Sequence, residues 1–140
     1  MKRPATTRKA QRGVMLLEAL ISILIFSLGI LALIGLQARA IAAVSDSSYR
    51  SQASFLADQI IGQMWVDRAN LADYSMPAGN APALTAWLAQ VNSKLPGTQA
   101  NPPQITVNAA TGQVTVIVYW QAPNASTAHS QTAVTQIANP

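Results

Sequence analysis

Residues 14–36, VMLLEALISILIFSLGILALIGL, form an apolar run broken by a single charge, Glu18. At about 1.5 Å of rise per helical residue the run is about 34 Å long, enough to cross a hydrocarbon core of about 30 Å. A chain of 140 residues has too little other apolar surface to wrap such a helix, which argues against a buried core helix. A secretory signal peptide has an apolar region of about 7–15 residues that ends in a small-residue cleavage site. Here the run is longer and GLQARA follows it. The run therefore predicts a membrane-spanning helix.

The charge pattern fits that reading. Only 10% of the residues are charged and half are hydrophobic, whereas an ordinary soluble domain is about 25% charged. Lys2, Arg3, Arg8, Lys9 and Arg12 crowd the first twelve positions. Beyond Gly13 four basic residues (Arg39, Arg50, Arg68, Lys94) stand against five acidic ones (Glu18, Asp46, Asp58, Asp67, Asp73), a net of −1. Nucleic-acid binding needs Lys and Arg gathered on a folded surface, so no nucleic-acid partner is expected. A basic segment retained on the cytoplasmic side of a membrane accounts for the same residues and orients the helix. The chain has no Cys, so it has neither a disulfide framework nor a thiolate metal site.

Helical periodicity continues through QARAIAAVSDSSYRSQASFLADQIIGQMWVDRANL. Ile41, Val44, Phe55, Leu56, Ile60, Ile61, Met64 and Trp65 recur at three- and four-residue spacing among charged residues, so the helix turns amphipathic. Unbroken from Val14 to about Ala69, it would be roughly 84 Å long. A loop-rich stretch with Pro77, Gly79, Pro82, Pro96, Gly97, Pro102 and Pro103 follows. It includes a short helix predicted over 83–95, with Leu84, Trp87, Leu88 and Val91 on one face. The period then changes to two: Ile105 and Val107, then Val114, Val116, Val118 and Trp120, read as a hairpin joined across 108–112. Residues 131–137 supply a third strand. The expected fold is α+β, a long N-terminal helix packed on a small antiparallel sheet, with the face from Phe55 to Trp65 covering the strands.

The dipeptide RG followed by VMLLEALISILIFSLGILALIGLQA resembles the prepilin leader and N-terminal helix of type IV pilins and type II secretion pseudopilins. In that family a basic leader ends in Gly, a prepilin peptidase cuts after it and methylates the new N-terminus, and Glu stands at the fifth mature position. The resemblance implies cleavage between Gly13 and Val14, N-methylated Val14 as the first mature residue, and Glu18 as the assembly glutamate. It implies a leader over 1–13, a membrane and assembly half of the helix over 14–36, an amphipathic half over 37–70 and a periplasmic head over 71–140. LLEALISILIFSLGILALIGLQ and YRSQASFLADQIIGQM are similar to minor pilins of the PilV type, which help initiate the fibre. Val14 stands where Phe or Met is commoner in major pilins. Gly35 stands where many of them have a kinking Pro, which leaves local flexibility to Gly29 and Gly35, and no Cys pair staples the C-terminal loop. The last two differences point away from a major subunit.

The implied partners are the prepilin peptidase, other minor and major pilin subunits, and the inner membrane with its assembly platform; no cofactor and no enzymatic activity are expected. Two alternatives stay open: a minor pseudopilin of a type II secretion system, which shares every N-terminal feature, and a bitopic envelope protein that binds a partner and forms no fibre.

The residues themselves explain why the glutamate matters. A carboxylate in a membrane helix costs several kcal/mol at the centre and less near an end. Glu18 lies about 6 Å from Val14 along the axis, within reach of interfacial water. Taken alone it is equally an incidental interfacial charge, and Gly13 a loop glycine before a helix. Ser22, Ser27, Gly29 and Gly35 are either a close-packing face or ordinary small residues of a span. His129 reads as a solvated loop residue, and Trp65, Trp87 and Trp120 as core. Asn124 opens an NAS tripeptide of the glycosylation pattern. Asp67 and Asp73 alone make a poor cation cage, so neither a metal site nor a catalytic residue is expected.

Overall fold

The computed structural model describes residues 10–123 and 125–138, with side chains from Gly13 onward. The leader residues Lys2, Arg3, Arg8 and Lys9, and the Asn124 tripeptide site, lie outside the described residues. The fold is α+β: helix α1 (Ala10–Val66), a 3-10 helix (Arg68–Tyr74), helix α2 (Pro82–Lys94), and strands β1 (Gln104–Asn108), β2 (Gln113–Trp120) and β3 (His129–Gln136). The chain divides into two units, Met1–Ala42 and Ala43–Pro140.

The first unit is the leading part of α1. From Ala10 to Ala42 the helix contains no Pro, and every residue from Gly13 to Ala42 is exposed. The most apolar window of this helix has a mean hydropathy of 2.7 and no buried residues, so it is long and apolar enough to span a membrane.

The second unit is built on the rest of α1. Ala53, Leu56, Ala57, Ile60 and Met64 are fully buried, a spacing of three and four that places them on one face. This face differs from the expected one. Phe55 is 62% exposed and Trp65 45%, and Ile41 and Val44 are exposed too. At about 100° per residue, Phe55 and Trp65 fall away from the stripe set by Leu56, Ile60 and Met64, and the small Ala53 and Ala57 take the places beside it. Trp65 is therefore not a core residue, whereas Trp87 and Trp120 are.

The α-helix stops at Val66, before Ala69. Asp67 leaves helical geometry (φ −107°, ψ 46°), and its N–H still donates to the Gln63 carbonyl at 3.0 Å. The following 3-10 helix buries Leu71 and Tyr74. Helix α2 begins with Pro82 at its first position, where the missing N–H costs nothing. It buries Leu84, Trp87 and Val91, with Leu88 half-buried. The Trp87 indole N–H donates to the Leu56 carbonyl at 2.8 Å, fastening α2 to α1.

The sheet is antiparallel in the order β1-β2-β3. Along β2 the even residues Val114, Val116, Val118 and Trp120 are buried, while the odd residues Thr115, Ile117 and Tyr119 are half-exposed on the opposite face. Ile105 and Ile137 join the buried layer, which forms one core with the α1 and α2 faces.

The β1–β2 connection is set locally. Asn108 accepts from the N–H of Ala110 and Thr111 through its side chain and from the Gly112 N–H through its carbonyl. Gly112 has φ +69°, and a Cβ there would run into the Ile137 carbonyl. Gly112→Ala should therefore destabilise the second unit by about 1–3 kcal/mol. The transition reported by the buried Trp87 and Trp120 fluorescence should fall by about 5 °C or more in the full chain in detergent; an unchanged midpoint would contradict this.

Candidate functional site

The residues singled out by sequence fall on the leading part of α1. Gly13 and Val14 are both inside α1, so the bond between them lies within helical backbone in the unprocessed chain. Glu18 is exposed, and among the described residues its carboxylate has no hydrogen-bond or ion-pair partner. Every large apolar side chain from Val14 to Leu36 is exposed as well, from Ile30 at 42% to Met15 at 74%. Leaving one such side chain in water forgoes about 1.5–3 kcal/mol, so covering the set is worth tens of kcal/mol. The segment needs lipid or other helices around it.

Helix geometry sorts the small and polar residues of this segment. At about 100° per residue, Glu18, Ser22 and Gly29 lie within about 40° of one another and form one stripe. Ser27 and Gly35 lie on other sides. A Cβ on Gly29 or Gly35 would meet nothing within 4 Å, so nothing within the described chain demands glycine at either position. Ser27 satisfies itself: its hydroxyl donates to the Ile23 carbonyl at 2.7 Å, which lets a serine sit in an apolar span without a partner.

Two polar clusters sit in the second unit. Asp46 accepts from the Trp120 indole N–H at 3.0 Å, and His129 Nδ1 lies 3.9 Å from the same oxygen. The His129 ring stacks on Trp120 with centroids 5.7 Å apart and planes at 18°. His129 is thus the first residue of β3, opposite Trp120 in the register, and not a loop residue. The strand begins earlier than its apolar alternation suggests, with the imidazole stacked on Trp120 across the register. No short-range signal in the sequence links position 46 to positions 120 and 129.

The second cluster closes the end of α1. The Asp67 carboxylate accepts from the Asn70 amide at 2.7 Å and from the Tyr74 hydroxyl at 3.3 Å. Asp67 therefore fastens the 3-10 helix to the end of α1. Among the described residues no group of His, Cys, Asp and Glu comes together as a metal site.

Burial, followed by the negative charge of Asp67 and its hydrogen bond, raises the Tyr74 phenol above 10.0. A group whose pKa rises on folding contributes stability below its unfolded pKa and loses it as pH climbs. The second unit should therefore lose stability above about pH 10, and Tyr74→Phe should flatten that part of the loss. Thermal melts between pH 8 and 11 would show it; identical slopes for the two proteins would argue against it.

Compared with protein-family models, curated proteins and solved structures, the chain matches none of them.

Proposed function

We propose that the chain is a minor type IV pilin, a structural subunit that helps prime pilus assembly. The observation that carries the reading is one helix with two environments. Its leading part, headed by Gly13 and Glu18, is exposed and apolar on every side, and its later part supplies the buried face of a small α+β head.

In this reading the basic leader stays in the cytoplasm and the head lies in the periplasm. The prepilin peptidase cuts after Gly13, and the local helix unwinds there to reach an extended, cleavable form. Val14 then carries a methylated amine at the helix end. While the subunit waits in the bilayer, Glu18 is near enough to the interface to keep some water. Once helices bundle, that water is lost, and an unpaired buried carboxylate would cost several kcal/mol. The amine of Val14 on a neighbouring subunit answers that charge and sets the axial stagger. The stripe of Glu18, Ser22 and Gly29 gives the neighbour a close approach along the same face.

Mass spectrometry of the membrane-extracted protein tests the reading. The expected product starts at Val14, lacks residues 1–13 and carries one added methyl group; an intact leader overturns the proposal. Glu18→Ala should leave cleavage and membrane insertion unchanged while recovery in sheared fibres falls at least about tenfold, the size of a lost charge pair worth 1.4 kcal/mol or more. Wild-type recovery would refute the stagger role.

A further inference from the structure

The two edges of the sheet are treated differently. Along β1 the Met76 N–H donates to the Ile105 carbonyl at 2.9 Å, and the Val107 N–H reaches the Ser75 hydroxyl at 3.4 Å. That edge is closed by residues 75–76. The same bond shows that Ile105 points its backbone away from β2. The Ile137 N–H donates to the Gly112 carbonyl at 2.8 Å on the other side of β2. Together with the printed register these bonds fix the alternation. Even-numbered β2 residues bond to β3 at His129, Gln131, Ala133 and Thr135, so Ser130, Thr132, Val134 and Gln136 turn their N–H and C=O groups outward.

Among the described residues nothing bonds to those four residues' outward groups, and all four residues are exposed. Natural sheets blunt such an edge with charge, Pro, a bulge or short length. β3 has none of these: HSQTAVTQ is eight residues in unbroken register, without Pro, Gly, Lys, Arg, Asp or Glu. Thr132, Val134 and Thr135 favour extended backbone.

We propose that the outer edge of β3 is a docking site for an extended, uncharged segment of a different protein, which adds to the sheet as a fourth strand. Backbone hydrogen bonds supply most of the recognition in strand addition, and alternate side chains adjust it. The uncharged edge gives a charged segment no ion partner, so a neutral occupant fits best. A second copy is disfavoured by direction. Asp46 sits beside Trp120 and His129, whereas Arg68, Leu71 and Ala72 line a cavity with Val107, Asn108 and Gly112. Residues 43–66 therefore run alongside β3 in its own direction. Antiparallel pairing of two β3 edges would oppose those helices, whereas copies assembling side by side along a fibre, as proposed above, keep them parallel and meet through unlike surfaces, and the unlike sheet edge, β1, is closed by residues 75–76. Only this exclusion of a second copy rests on the assembly reading.

The test uses the full chain in detergent micelles and, as probe, an acetylated and amidated nine-residue peptide of alternating Thr and Val. Amide hydrogen exchange is read by residue. The amides of Ser130, Thr132, Val134 and Gln136 should exchange freely without peptide and slow about tenfold or more with it, while Gln131, Ala133 and Thr135 are protected throughout. A peptide N-methylated at every residue should give no protection. Val134→Pro removes one outward N–H at a position where an edge strand tolerates Pro; it should keep the native Trp fluorescence and lose the peptide effect. Absence of protection with the Thr/Val peptide, or equal protection by the N-methylated one, overturns the proposal. Protection that rises with protein concentration without peptide assigns the edge to a second copy and overturns the chosen occupant. None of these readouts depends on cleavage at Gly13.

Discussion

The face made by Ala53, Leu56, Ala57, Ile60 and Met64 is the surface on which the second unit is built. A three-stranded sheet has one side too many: it is stable only when its apolar face is covered. Val114, Val116, Val118 and Trp120 on β2, with Ile105 and Ile137 beside them, meet that helical face. Trp87 from α2 enters the same layer and anchors its indole N–H on a main-chain carbonyl of α1. Fixing that one hydrogen bond costs no unsatisfied donor and contributes about 1 kcal/mol, while the aromatic burial around it contributes more.

Among the described residues the leading part of α1 has no such partner. Its backbone is satisfied by its own helix, so the only outstanding demand is for apolar surroundings. Lipid meets that demand, and so does a bundle of like helices. What separates the two settings is Glu18. Near an interface the carboxylate keeps water, and in a bundle it needs a counter-charge. A residue that costs little in one environment and requires a partner in the other is suited to report which environment the helix is in. This is the physical core of the proposed assembly role, and it involves residues at the N-terminal end of α1 only.

Much of the architecture was legible in the sequence because the periodicities are strong. The apolar run, the α2 face of Leu84, Trp87 and Val91, and the alternation along β2 each carry their own pattern, and each forms the element that pattern predicts. The face of α1 was read less well. Large side chains drew attention to Phe55 and Trp65, but a closely packed helix is placed by what fits, and Ala53 and Ala57 fit where bulkier residues would not. The candidate site at Gly13, Val14 and Glu18 rests on a short local spacing in the sequence. The stripe that adds Ser22 and Gly29 and leaves out Gly35 needed the helical rotation to be followed residue by residue.

By itself the sequence determined the main helical and strand segments, where the chain passes from an apolar to an amphipathic helix, and where the one charge of the apolar run stands. Those properties depend on residues close together in the chain, through rotation per residue, hydropathy and turn chemistry. Only the tertiary structure decided that Trp65 faces outward while Trp120 is buried, and that Trp120 bonds to Asp46 while His129 stacks on it. It also decided that residues 75–76 close one sheet edge while β3 keeps the other open. Each of these joins positions about thirty or more residues apart, or depends on which of two faces the neighbours leave room for. Local pattern carries no information about such pairings, because their energy exists only once the distant surfaces meet.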